Sequence, residues 1–220
     1  MAVIDQDLLP PASRIAVGYC PARHRSALTA VLALDHRLSQ LVARTSEPML
    51  GQMRLAWWRE ALQRPAAERR RGDVVLDALS DTWESQCEAL IGMVDSWEHL
   101  LQPDPLDEHA ALAFARGRAT ALVIACGLQE PDAAFASAMT AARVWAIADL
   151  AANISHGEER ALLIRLGLRE ASQRGRLNAK TRSLAVLGAL GHRALLRGGR
   201  PLMEGRGAAI QIAKAAIILR

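Results

Sequence analysis

The chain reads as an all-α, single-domain helical bundle. Of its 220 residues 51% are apolar but only 4% aromatic. Alanine, leucine and arginine dominate, while valine, isoleucine and threonine form no alternating runs, a balance that favours helices over strands. Over residues 48–62, PMLGQMRLAWWREAL, apolar positions recur at i and i+4, the spacing of one helical face. The length suits one domain with a substantial core. The expected organisation is therefore a single domain over residues 1–220, with residues 1–20 as a loose leader and residues 160–220 as a basic C-terminal part.

Charge and cysteine content narrow the class further. The net charge is +4, but residues 1–159 hold 14 basic and 21 acidic side chains, whereas residues 160–220 hold 13 basic and 2 acidic. Such asymmetry points to an anionic partner for the last third: a membrane surface, a diphosphate, nucleic acid or an acidic protein. Of the basic residues only Lys180 and Lys214 are lysines, a bias that a GC-rich genome, such as many bacteria have, produces without functional meaning. No uncharged apolar run reaches 18 residues, so no segment is expected to span a membrane. The N-terminus, MAVIDQDLLPPAS, lacks the basic-then-apolar pattern of a secretory signal. Cys20, Cys87 and Cys126 form neither a metal motif nor a disulfide framework, which fits a reducing cytoplasm.

Taken in order, Pro10 and Pro11 end the leader, and residues 12–17 are expected to make a short first turn. A long helix over residues 22–44 buries Leu28, Val31, Leu32, Leu38 and Leu41/Val42 and carries Arg23, His24 and Arg25 in its first turn, where positive charge opposes the helix dipole. Ser46 is the expected N-cap of the next helix, with Pro48 in its first turn. That helix has Met49, Met53, Trp57 and Ala61 as its apolar stripe and Arg54 and Arg59 on its flank. Trp57 and Trp58 lie roughly 100° apart, so one enters the core and the other edges onto a cleft. Asp73, Asp77 and Asp81 have DxxxD spacing, but Asp81 and Glu84 have capping-box spacing, which assigns them to a helix boundary rather than a metal site.

Leu90, Met93, Trp97 and Leu100/Leu101 mark a further amphipathic helix, broken by the two prolines at 103 and 105. Residues 107–127 form another, rich in small residues, on which Arg116 and Arg118 are about 200° apart, so at least one faces water. Residues 131–155 carry a stripe of Phe135, Met139, Ala142, Trp145/Ala146 and Asp149. Glu158 and Glu159 sit in the first turn of the next helix, where acids are favourable. A helix over residues 178–196 and a final apolar helix after Gly207 complete the chain. At about 13 residues the last one is too short to cross a bilayer, so it is either buried or docked on a partner or membrane, with Arg193, Arg197, Arg200 and Arg206 gathered before it.

The phrase SEPMLGQMRLAWWREAL, preceded by SALTAVLALDHRLSQLVAR, closely resembles the squalene/phytoene synthase family. It is most similar to the divergent branch that contains the mitochondrial complex I assembly factor and many bacterial proteins, characteristically reading SEP-LG-IRL-WWR-AL. The resemblance implies an isoprenoid synthase type of fold and, in the active enzymes, head-to-head joining of two prenyl diphosphates. It also implies two aspartate-rich motifs that hold Mg²⁺ against the diphosphate. Laid over this chain, the first motif falls on Ser39, Gln40, Leu41, Val42 and Ala43, with no carboxylate; Asp35 stands alone one turn earlier. At the second, WAIADLAANISHGEER offers Asp149, whose i+4 neighbour is Asn153. Both metal motifs are absent from the sequence in their paired form.

Three functions of different classes follow. The first is a non-catalytic relative that binds an isoprenoid or lipid chain or acts as an assembly scaffold, cytoplasmic and peripheral to the inner membrane. Its ligand-pocket candidates are Asp35, Arg54, Trp58, Arg59 and Asp149, with no catalytic residue, no metal and no cofactor, and residues 193–220 are the candidate contact for an anionic membrane or a protein partner. The second is an active prenyl diphosphate transferase of terpenoid biosynthesis, in which Arg23 and Arg25 bind diphosphate and Mg²⁺ is the cofactor. The third is a basic nucleic-acid-binding module, ranked last because interleaved aromatics and recognition motifs are missing.

Overall fold

Helices make up the regular structure of the protein in the computed structural model, which describes residues 4–83, 87–102 and 104–218. In chain order they are α1 (Pro11–Gly18), α2 (Ala22–Ala43), α3 (Pro48–Gln63), α4 (Val74–Thr82), α5 (Cys87–Glu98), α6 (Glu108–Ala125), α7 (Phe135–Asn153), α8 (Gly157–Ser172), α9 (Arg182–Leu196) and α10 (Gly207–Ile218), with short 3-10 turns between some of them. Among the described residues there is no strand. The all-α fold expected from composition and period is the observed one.

The central element is α7. It packs against α6, α8 and α9, and its buried positions, from Ala138 through Trp145 to Ala151, run round most of its circumference. Small residues make that possible. On α9 a side-chain carbon at Gly191 would come within 2.9 Å of the Trp145 Cα, so only glycine lets the two backbones approach this closely. The same holds where α6 crosses α5: a side-chain carbon at Gly117 would lie 2.5 Å from the Gly92 carbonyl oxygen. That crossing sets α6 deep in the bundle, with Ala111, Phe114, Ala115, Arg118 and Leu122 on its buried face. On the other side α2 packs on α4 and α6, and α3 packs on α5.

Several expectations are corrected. The leader is not loose over its whole length, because α1 packs on α9 and buries Ala12, Ala16 and Val17, with Ile4 and Leu9 also in the core. On α3 the buried stripe is Gly51, Leu55, Trp58 and Leu62. The expected stripe faces outward: Met49 and Met53 are exposed, and Trp57 is 44% exposed against 4% for Trp58. Both stripes have helical spacing; α5 packs against the one that Gly51 opens for close approach to Leu101. Glu47, not Ser46, is the N-cap of α3. Asp81 lies inside α4, and it is Asp73 that caps this helix by accepting from the Val75 and Leu76 amides; Glu84 lies outside the described residues. The last helix is half of each alternative: Ala208, Ile212 and Ala215 are buried and α10 packs on α9, while Ile210, Ile217 and Ile218 face outward.

The two adjacent tryptophans meet edge to face, with ring centroids 5.1 Å apart, yet their burial predicts unequal roles. Trp58→Ala should lower unfolding free energy by about 3–5 kcal/mol, and Trp57→Ala by about 1 kcal/mol or less. Chemical denaturation of the two variants checks this; equal losses would contradict the assignment of α3 faces.

Candidate functional site

Three helices bring three charges together. Asp35 lies midway along α2, Arg118 on the buried face of α6, and Asp149 near the end of α7. The Arg118 guanidinium, 1% exposed, grips Asp35 with two parallel bonds, Nε to Oδ1 at 2.8 Å and Nη2 to Oδ2 at 2.7 Å. Nη2 also donates to Asp149 Oδ2 at 2.9 Å, and Nη1 donates to the Ala146 carbonyl at 3.3 Å. Asp35 Oδ1 accepts a further bond from the Trp97 indole at 3.0 Å. A paired, planar contact of this kind is the strong form of an ion pair.

Aromatic rings enclose the cation. The guanidinium carbon lies 4.3 Å from the Trp145 ring centroid, 5.0 Å from Phe114 and 5.1 Å from Trp97, within the range of cation–π attraction. Burial works against the charge of Arg118, but Asp35 and Asp149 outweigh it and hold its pKa above the ordinary value. For Asp149, burial pushes the carboxyl upward; Arg118 pulls it back, Asp35 adds to the rise, and the net shift is up.

The triad forms the polar floor of a cavity of about 620 Å³, a size common for small-molecule sites. Leu32, Leu100, Leu106, Leu150, Ile154 and Leu202 supply apolar wall, and His36, Ser39, Gln40 and Asn153 a polar border. Glu159 borders the cavity too and accepts from the Leu106 amide at 2.8 Å, so this first-turn acid also pins the segment before α6. Trp145 lines the cavity and is buried, and its indole Nε1 has no hydrogen-bond partner.

Of the candidates read from sequence, only Asp35 and Asp149 meet here. Arg54 and Trp58 line a separate cleft of about 310 Å³ between α2 and α3, which shares Gln40 with the main cavity. Arg59 points to α5, where it pairs with Asp95 and Glu98. Arg23 donates to the His24 ring and Arg25 to the Cys20 carbonyl. Both lie at the start of α2, ten or more residues before Asp35, so roughly 15 Å or more along the helix axis. Arg118 is the residue that sequence reading missed. Its signal was present: it continues the i, i+3, i+4 buried spacing of Ala111, Phe114, Ala115 and Leu122, while Arg116 faces water.

The donor set does not fit Mg²⁺. Both oxygens of Asp35 are committed to Arg118 and Trp97, and one oxygen of Asp149 to Arg118. A dication placed between these carboxylates would face the guanidinium already there. Among the described residues no group of three or more His, Cys, Asp or Glu side chains could hold a metal ion.

Fold and site together define an all-helical protein that encloses an apolar cavity over a buried charged floor. A family model for squalene/phytoene synthase matches residues 13–126. That is just over half of the chain, and the protein belongs to this family. The matched part runs from α1 into the end of α6 and so includes Asp35 and Arg118, while Trp145 and Asp149 come from the part beyond it. No curated protein and no solved structure matches the chain.

The triad predicts a distinct mutational pattern. Arg118→Met strands two carboxylates and should cost about 3–5 kcal/mol. The double variant Asp35→Asn/Arg118→Met removes the more buried of the two stranded charges and should cost less than Arg118→Met alone. Urea denaturation of both measures this, and a double variant worse than the single one would refute it. Because the folded-state pKa of Asp149 is raised above the ordinary 3.8, the fold binds its proton more tightly than the unfolded chain does. The contribution of Asp149 is thus fully present at low pH and is lost as pH rises from about 3.8 through the folded value. Asp149→Asn should flatten that part of the stability–pH curve.

Proposed function

We propose that this protein is a non-catalytic member of the squalene/phytoene synthase family. It holds an isoprenoid or lipid chain in the α2–α5–α6–α7 cavity and serves as a binding or assembly scaffold beside a membrane. The observation that carries this reading is the guanidinium of Arg118 between Asp35 and Asp149. In the active enzymes that the sequence resembles, aspartates hold Mg²⁺, which stabilises the departing diphosphate. Here the two aspartates of the triad are paired with a cation that belongs to the chain and cannot leave with a product. With Arg118 tied to these carboxylates and no metal-holding group among the described residues, the negative charge developing on a departing diphosphate lacks the stabilisation that Mg²⁺ supplies in those enzymes.

The apolar wall supports the lipid half of the reading, since apolar surface lining a cavity of this size gains by contact with a hydrocarbon chain. The peripheral contact has its support on α10, whose outward Ile210, Ile217 and Ile218 stand beside exposed Lys214 and Arg206, a pairing suited to an anionic interface. No helix among the described residues is long and apolar enough to cross a membrane.

Incubation with farnesyl and geranylgeranyl diphosphate, with and without Mg²⁺, tests catalysis directly. Neither released diphosphate nor coupled product is expected; Mg²⁺-dependent turnover would establish the prenyl transferase instead. Co-sedimentation with phosphatidylglycerol vesicles, weakened by salt and by Ile217→Glu, tests the interface, and equal binding to uncharged vesicles would remove its electrostatic part.

A further inference from the structure

The chain is basic overall, at +4, but its main cavity is not. Among the residues lining it are four carboxylates, Asp35, Asp104, Asp149 and Glu159, and one guanidinium, Arg118. Among the described residues no other arginine and no lysine reaches the lining. Arg118 is already largely committed: four of its five N–H donors go to protein oxygens through Nε, Nη1 and Nη2, and aromatic rings cover it. Asp35 is buried, Asp149 and Glu159 are half-buried and Asp104 is exposed, so an anionic head group entering this cavity would meet a net excess of negative charge, with repulsion growing toward the buried floor.

The polar atoms that remain available ask for the opposite kind of head. Asp149 is the one member of the triad with substantial access to the cavity, its side chain 29% exposed, and only its Oδ2 is bonded to Arg118. Asn153, one turn on, borders the cavity beside it. A second, independent feature also points to a ligand: the Trp145 indole Nε1, on a residue only 2% exposed that lines this cavity, is a buried donor without a partner. Buried donors are rarely left so.

We propose that the cavity binds an apolar chain with an uncharged or cationic, hydrogen-bond-donating head group, an alcohol or an amine, and rejects the diphosphate esters. The inference rests on the apolar-chain reading above and adds the chemistry of the head. The chain lies along the leucine and isoleucine wall, and the head donates to Asp149 near the floor. A cationic head gains in addition from the excess of carboxylates, and a hydroxyl oxygen can accept where an ammonium cannot. Discrimination is by repulsion rather than by shape, since the three heads share one chain.

The test is a head-group series on the unmodified protein: farnesol, farnesylamine and farnesyl diphosphate, titrated at neutral pH in the presence of EDTA. Intrinsic tryptophan fluorescence is the readout, since Trp97 and Trp145 line the cavity. Farnesol and farnesylamine should bind at least about tenfold more tightly than farnesyl diphosphate, a factor well above titration error, and replacing EDTA with Mg²⁺ should not close the gap. Asp149→Asn should weaken farnesylamine more than farnesol and should improve binding of the diphosphate. Farnesyl diphosphate binding as tightly as the alcohol without metal would overturn the head-group inference and leave the apolar-chain reading standing. Binding of none of the three would remove both.

Discussion

A guanidinium that is 1% exposed must have its charge answered inside the protein, and the centre of this fold is arranged around that requirement. Arg118 reaches from α6 to Asp35 on α2 and to Asp149 and the Ala146 carbonyl on α7, and Trp97 of α5 completes the shell through Asp35. Four helices are thus tied to one side chain. Burying the ions carries a large desolvation penalty, so the network need not make the protein more stable than an apolar replacement would. What it does impose is register. Each of the four helices has one rotation and one height at which its group meets the guanidinium, and the glycine crossing at Gly117 lets α6 and α5 come close enough to do so.

The same constraint separates fold from chemistry. Membership of the squalene/phytoene synthase family accounts for the bundle and its cavity, but function resides in the side chains that line it. Two aspartates stand at the cavity floor on α2 and α7, yet both are paired with one cation that is covalently part of the chain. A resident guanidinium offers no open coordination positions, and it already occupies both oxygens of Asp35 and one of Asp149. The cavity therefore keeps an excess of carboxylates in a protein whose net charge is positive.

Charge counted along the sequence and charge arranged in space diverge again in the last third. There Arg143, contributed by α7, pairs with Glu170; Arg160 donates to the Ala151 and Ile154 carbonyls; and Arg193, Arg197 and Arg200 all bond to Glu204. Much of the basic excess is thus wiring that holds α8 and the turn before α10 onto α7 and α9. Arg206 and Lys214 remain exposed beside the apolar outer face of α10.

Helix positions, the all-α class and the family were legible in the sequence because each depends on local periodicity or on contiguous motif residues. Asp35 and Asp149 also stood out, as acids on apolar helices without an acid at i+4. Arg118 was harder to read: its spacing puts it on the buried face of α6, but its partners lie 83 and 31 residues away, and nothing local says which carboxylates a buried arginine meets across the bundle. Trp57 and Trp58 make the same point, since both stripes of α3 are helical and only the packing of α5 chose between them. Local pattern determines which residues share a face. Which faces meet, and therefore which charges are answered and what the cavity will admit, is decided by tertiary packing, because burial and charge pairing depend on distances in space.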